Sequence, residues 1–453
     1  MNSSPDTSGV IVDSKGRDSP RGLCAHMIMR LEQMSDYIQS IIDLVGIESV
    51  CDRRENDPEY PYGEGVRHAM DYVLNLCSRF GFRTKNCNNQ IGYAEIGDGD
   101  PLTAVLVHLD VVPIGDGWTA EQGEIRDGKL YGRGVMDDKG PAVACIYAMK
   151  DIKESGKPIN GRIRIIFGQA EETGIWTDMG YYLQTEEQPD QGFTPDAFFP
   201  LILAEKGLAL FSLTAPAPKG IAELSGGTAP NIVPGTCEAK LVYEDGSSIF
   251  MKEEGKAAHG SMPEDGINAI SLMMKTISNN IEEQGKGFLS FYRDCIGTEI
   301  HGERLLDISP DEMSGPLTLN VGKIRLENDM ITTEIDIRYP VSASFKEIKS
   351  KLERTTAEYG MSCMCNVHKP PVHISLDNPF AQNLIKSYRE VTGDMSEAIS
   401  TGGGTYARAM KNIVAFGPLL PGRELTEHEP DEHAYIEDLH LIRKIYTAAL
   451  ESI

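Results

Sequence analysis

Apolar residues recur at helical spacing in two early stretches of the chain. Met34, Ile38, Ile41, Ile42 and Val45 form one stripe. Val66, Ala69, Met70, Val73, Leu76, Cys77 and Phe80 form a second, with Gly81 just past its end, where a helix stops. Both predict amphipathic helices that face a core. The pattern then shifts to short apolar runs: Ala104 to Val107 and Arg162 to Phe167 read as strands. Between them lie a Gly-rich loop at Gly132 and Gly134 and a helix from Pro141 to about Ile152. Strands alternating with helices predict an α/β domain on a mostly parallel sheet covered by helices.

The texture changes after Glu205-Lys206-Gly207. Leu208 to Leu213 reads as a strand, and the turn-rich stretch Pro230 to Gly235 leads into another. From Ser248 the order is strand, helix (Ile267 to Ser278), hairpin (Leu317 to Ile324 with Met330 to Tyr339), helix (Phe345 to Tyr359) and strand near Met364 to His368. This predicts an α+β unit of ferredoxin-like kind inserted into the first domain. Asp377-Asn378-Pro379 opens a further helix, and the chain returns to a strand, Ile413 to Phe416, and a terminal helix, Ile436 to Leu450. The expected organisation is a disordered tail at 1–22, a catalytic domain in two parts at 23–206 and 375–453, and a lid at 207–374.

Length and charge narrow the classes. With 453 residues, 40% hydrophobic and 25% charged, the chain is too long for one ordinary core. Its 43 Lys and Arg against 68 Asp and Glu give a net charge of -25, which repels phosphate backbones and anionic membranes. Neither nucleic acid nor a membrane is an expected partner, whereas an acid surplus permits divalent cation sites. The nine cysteines are an odd number with no Cys-x-x-Cys pair, and Cys363-x-Cys365 lacks a second pair at zinc-site spacing. The chain thus reads as reduced and cytoplasmic, with structural thiols. No apolar run has signal-peptide or bilayer-spanning length.

The chemistry-bearing residues fall at strand ends. His108 and Asp110 follow the Val105 run, two apart, so that a persisting strand would put them on one face. Asp137-Asp138 lies in the Gly-rich loop that opens a helix, and Glu171-Glu172 follows the Ile163 to Phe167 strand. Asp196 precedes an Ala197 to Phe199 strand, and His428 sits between the last strand and the last helix. The carboxyl ends of strands are where open α/β sheets build sites. His108, Asp137, Glu172, Asp196 and His428 make a mixed nitrogen and oxygen donor set suited to two zinc ions sharing one carboxylate.

Five segments carry a resemblance: His108-Leu-Asp110-Val-Val-Pro, Gly132-Arg-Gly-Val-Met-Asp137-Asp-Lys-Gly-Pro, Gln169-Ala-Glu171-Glu172-Thr-Gly, Gly255-Lys-Ala-Ala-His259-Gly-Ser and Gly402-Gly-Gly404-Thr-Tyr. In order and spacing, over about residues 25 to 453, they resemble the dinuclear zinc metallopeptidases that include aminoacylase, ArgE, DapE and PepV. The Asp137-Asp-Lys-Gly-Pro, Pro195-Asp196-Ala-Phe-Phe-Pro and Gly402-Gly-Gly-Thr-Tyr runs point to the PepV-type dipeptidases.

The resemblance implies two Zn2+, replaceable by Co2+ or Mn2+. Asp137 would bridge both ions, with His108 and Asp196 on one and Glu172 and His428 on the other. Asp110 would orient His108, Glu171 would be the general base, and His259, from the lid, the oxyanion donor. Arg338 would grip the substrate's terminal carboxylate, with Asn231 and the backbone of Gly402, Gly403 and Gly404 as further contacts. His433 is the alternative last ligand; His428 is preferred because His428-Glu-Pro-Asp431-Glu432 matches the family's His-x-x-(Asn/Asp)-Glu pattern. His26, His68, His301 and His440 read as surface or core residues. The implied activity is hydrolysis of dipeptides with a free C-terminal carboxylate. The alternatives are an N-acyl amino acid deacylase or desuccinylase, or an inactive binding homologue. A lid as long as 207–374 implies a monomer that supplies its own His259, with a dimer through the lid as the other arrangement.

Overall fold

In the computed structural model, residues 36–54 and 56–452 are described. The 1–22 tail, His26 and Met34 lie outside them. Helix α1 covers residues 36–45 and buries Ile38, Ile41 and Val45. Helix α2 (Glu64–Arg79) buries its stripe from Val66 to Cys77. It ends as the sequence predicts: Gly81 takes φ +73°, and the amides of Gly81 and Phe82 return to the carbonyls of Ser78 and Cys77.

The catalytic sheet is built from β1 (Arg83–Cys87), β2 (Ile91–Gly97), β3 (Leu102–His108), β4 (Arg162–Gly168), β5 (Gln191–Thr194), β6 (Ile202–Glu205), and three later strands. Helix α3 (Lys139–Ser155) joins β3 to β4, and α4 (Thr177–Thr185) joins β4 to β5. From β6 the chain runs straight into the lid, whose strands are β7 (Gly207–Pro216), β8 (Ile221–Gly226), β9 (Thr236–Val242), β10 (Ser248–Glu254), β11 (Thr318–Glu327), β12 (Met330–Tyr339) and β13 (Ser362–Lys369). Helices α5 (Ala269–Asn280) and α6 (Phe345–Glu358) complete it. The chain returns through β14 (Val372–His373), α7 (Pro379–Thr392), β15 (Ile399–Thr401), β16 (Ile413–Ala415) and α8 (Ile436–Glu451). Asn378 caps α7 by accepting from the amides of Phe380 and Ala381, with Pro379 in the first turn, as its sequence signature predicts.

The nine-stranded catalytic sheet runs β1-β2-β4-β3-β5-β16-β6-β14, with β15 on β6. Its centre, β4-β3-β5-β16, is parallel, and both flanks are antiparallel except for β15, which pairs with β6 in parallel. The departure from a mostly parallel sheet comes from the β1–β2 hairpin, turned at Asn88 and Asn89 with positive φ, and from the lid-connecting strands. Central strands are buried on both faces. Val105, Ile163, Ile165 and Phe167 join a core with α1, α2, α3 and α8, while Ala104, Leu106 and Ile166 pack with Met179, Tyr182 and Tyr406. Because the central strands are parallel, their carboxyl ends open on one edge, and there His108, Gly168–Glu171 and Thr194–Asp196 emerge together.

The lid is a seven-stranded antiparallel sheet, β10-β9-β8-β11-β12-β7-β13, with its own hydrophobic core under α5 and α6. Along β7, Ala209, Phe211 and Leu213 enter that core, which leaves Leu208 and its strand neighbours on the face turned away from the lid helices. No helix among the described residues is long and apolar enough to cross a membrane. The described cysteines are free thiols.

Candidate metal centre and active site

Strand β3 ends at His108, so strand alternation does not place Asp110. The chain turns, and His108 Nδ1 meets the backbone carbonyl of Asp110 at 2.9 Å, with the Asp110 carboxylate at 3.5 Å. A carbonyl only accepts, so this bond fixes a proton on Nδ1 and makes Nε2 the nitrogen that a cation would take up. That nitrogen faces Asp137 Oδ1 at 2.8 Å and Asp196 Oδ2 at 3.8 Å. The buried Asp110 carboxylate accepts from the amides of Glu171 and Glu172 at 3.1 and 3.0 Å, so one residue aligns both the imidazole and the glutamate loop.

Asp137 lies between two imidazoles: its Oδ2 is 2.9 Å from His428 Nε2, which also lies 3.1 Å from Glu172 Oε1. Ligand atoms therefore converge in two groups, His108–Asp137–Asp196 and Asp137–Glu172–His428, with Asp137 common to both. Burial raises the carboxyls of Glu172 and Asp196, and the charge of Asp137 adds to both. Burial opposes ionisation of Asp137 too, but the hydrogen bonds of His108 and His428 hold it well below the carboxylate range. For His428 burial is outweighed by bonds to Asp137 and Glu172, which push it up to about 11. Two imidazole Nε2 atoms facing carboxylate oxygens around one shared acid fit divalent cations, which would replace the protons that bridge them here.

Glu171 differs from its neighbour. Among the described residues its carboxylate makes no hydrogen bond, and burial, with Glu172 and Asp110 adding and His108 opposing, pushes it up to about 8. Its loop is held from beneath by Asp178, which accepts from the amides of Gln169 and Ala170 and from the Tyr406 hydroxyl. Gly168 lets that ring in: a Cβ there would stand 2.4 Å from Tyr406. Glu432, fully buried, accepts from the amides of Gly134 and Met136 and from Arg133, fixing the Asp137 loop. Asp138, the neighbour of Asp137 in that loop, is buried and accepts the His108 amide.

The structure separates the two candidate last ligands. His433 opens a short strand paired with Lys129–Tyr131; its ring packs on Tyr131 and its Nε2 lies 2.9 Å from Lys129 Nζ, away from the cluster. His428 is half-exposed, with φ 64°, in the preceding loop.

The lid faces the cluster within one chain. Ala258–His259 pairs with Ile232–Val233, which sets Asn231 beside His259, and the Asn231 carbonyl accepts the Gly260 amide. Ser261 approaches His259 Nδ1 through its hydroxyl at 2.6 Å and its amide at 3.3 Å. Nδ1 therefore accepts and Nε2 carries the proton; burial and Arg338 lower the ring's proton affinity, with Asp336 opposing, and keep it neutral. A Cβ on Gly402 would lie 2.9 Å from that of Ser261, so the His259 loop rests on the Gly402–Gly404 turn. Arg338, buried, gives Nε and Nη2 to Asp336 and Nη1 to the Gly402 carbonyl, each at 2.8 Å. Three of its five N–H donors are used, leaving two for a ligand.

Several site residues were not singled out in the sequence. Asp178, Tyr406, Glu432 and Arg408, which binds Glu205 and the Gly403 carbonyl, act through partners far away in the chain. Asp336 had a local signal, since it shares a strand face with Arg338 two residues on.

A cluster of imidazoles and carboxylates at the strand ends of an α/β sheet, faced by an inserted lid, defines a hydrolase of the metallopeptidase class. The chain belongs to peptidase family M20/M25/M40, which matches residues 104–452. It is 36% identical to YtjP of Bacillus subtilis (strain 168), provisionally named a dipeptidase, over 93% of this chain and 97% of that protein. SH1171 of Staphylococcus haemolyticus (strain JCSC1435), named likewise, is 32% identical over 93% of this chain and 98% of its own length. Human carnosine dipeptidase 1 shares the fold, with TM-score 0.60 at 16% identity over 92% of this chain and 96% of that one. The chain is accordingly a metal-dependent hydrolase acting on peptide bonds.

Proposed function

We propose that this protein is a dinuclear zinc dipeptidase that cleaves dipeptides with a free C-terminal carboxylate. The observation that carries the reading is Asp137, whose two oxygens are split between His108 and His428, while the Glu171 carboxylate beside them makes no hydrogen bond among the described residues. His108 and Asp196 would hold one ion, Glu172 and His428 the other, and Asp137 both. Bound zinc ions supply Lewis-acid polarisation of the scissile carbonyl and an acidified water. Glu171, its proton affinity raised toward neutrality by burial, takes the proton of the attacking water and passes it to the leaving amine. His259, neutral with its proton on Nε2, donates to the developing oxyanion. Arg338 offers its two remaining N–H groups to the terminal carboxylate, with Asn231 and the Gly402–Gly404 backbone alongside. The acid-rich cluster receives the free amine. The dipeptidase names of relatives at 36% and 32% identity support the same substrate class.

The carboxylate contact is testable by ratio. Dipeptides should be cut well, and their C-terminal amides and longer peptides poorly. Arg338→Met should shrink the acid-over-amide preference by about 1.5–3 kcal/mol. The ratio is the proper readout, since the variant also strips Asp336 of its buried partner and lowers the folded fraction. An unchanged ratio removes Arg338 from recognition.

His259→Ala should leave the zinc content intact and lower the catalytic rate about 10²- to 10³-fold. Because the His259 loop rests on Gly402 of its own chain, mixing this variant with Glu171→Gln protein should restore nothing. Recovery in the mixture would show that the histidine is donated between subunits.

A further inference from the structure

Lys369, the last residue of β13, has no part in this mechanism beyond the pull of its charge on the buried Glu171 carboxyl. Leu208 on β7 is paired with Arg338 on one side and with Lys369 on the other. The three side chains therefore leave the same face of the lid sheet, the one turned from its helices, and the two cationic residues stand two strand spacings, roughly 9–10 Å, apart. Both arms cross to the catalytic sheet. Arg338 reaches the Gly402 carbonyl, and Lys369 Nζ lies 3.6 Å over the Trp176 ring. Arg338 is ion-paired with Asp336, whereas among the described residues the Lys369 ammonium makes no hydrogen bond or ion pair. Trp176 in turn donates its indole N–H to the Glu171 carbonyl at 3.0 Å, so the ammonium stands over the loop that carries the base.

We propose that Lys369 and Trp176 form a subsite for an acidic side chain on the residue C-terminal to the scissile bond, which makes dipeptides ending in Asp or Glu the favoured substrates. The inference rests on the dipeptidase reading. Glu171 delivers its proton to the leaving amine, and Arg338 holds the carboxylate of that same leaving residue. A group beside the Glu171 loop and in the Arg338 row faces the leaving residue's side chain. The indole face positions the ammonium without neutralising it, and its three N–H donors await an acceptor. A carboxylate placed there gains charge-assisted bonds and displaces no protein partner. The net charge of -25 opposes an acidic substrate only at long range; with a screening length of about 8 Å at physiological ionic strength, the local cation decides.

The test is kcat/KM of the zinc-reconstituted full chain for Ala-Glu and its near-isostere Ala-Gln, with wild type, Lys369→Met and Lys369→Arg. The wild type should prefer Ala-Glu by about tenfold or more, chiefly through KM, the factor that one charge-assisted bond carries. Lys369→Met should bring the ratio close to one, and Lys369→Arg should keep much of it. Equal cleavage of the two peptides by the wild type would overturn the subsite alone, with the dipeptidase reading intact. So would a Lys369→Met variant that lowers kcat for both and keeps their ratio, which would make Lys369 a prop for Trp176 and the Glu171 loop. Failure to cut any dipeptide would overturn the reading beneath it as well.

Discussion

Glu171→Gln should keep its metal and lose about 10²- to 10⁴-fold in catalytic rate. The amide matches the carboxylate in shape, and the loop beneath is fixed through backbone amides to Asp110 and Asp178, which the substitution leaves untouched. What is removed is a carboxyl that burial and its acidic neighbours have pushed up to about 8, the group able to accept a proton and return it. Metal content per chain and single-turnover rate on the same preparation check this together. Activity retained at the wild-type level would mean that the proton takes another route, and loss of metal would place Glu171 among the ligands.

Asp137→Ala should be more severe, abolishing measurable turnover by emptying the site. Its two oxygens face different imidazoles, at 2.8 and 2.9 Å, so one truncation withdraws an oxygen from both ligand groups. The remaining sets, His108 with Asp196 and Glu172 with His428, are two-ligand sites, fewer than zinc normally requires of a protein. Elemental analysis after dialysis should find less than one ion per chain, against two in the wild type. Two ions retained in the variant would show that another group bridges them.

The residues with chemistry were legible wherever type and position along a strand sufficed. His108, Glu171–Glu172 and Asp196 could be placed because parallel strands deliver their carboxyl ends to one edge, and the apolar runs that end there mark those strands. His428 could be preferred to His433 only through the motif around it. What separates it from His433 is a short strand pairing with Lys129–Tyr131, which turns the His433 ring onto Tyr131. In the frame behind the cluster, Glu432 and Tyr406 stood within recognisable motifs, but nothing local told what either would hold. Glu432 meets the amides near Gly134 across 298 positions, and Asp178 meets Tyr406 across 228, and neither partner's neighbourhood in sequence marks the other. Asp110 shows the limit of periodicity: the strand stops at His108, and the contacts of Asp110 depend on a turn. Polar edge strands were similarly hidden, β1 burying only Cys87 of its five residues.

The most direct test of the account is to strip the protein of metal, restore zinc, and offer it a mixture of free dipeptides, dipeptide amides, tripeptides and N-acyl amino acids, with products read by mass. The account predicts that cleavage depends on the returned metal and that the free dipeptides disappear first, each giving two amino acids. Release of acetate or succinate from N-acyl amino acids with the dipeptides untouched would contradict it and identify a deacylase on the same fold.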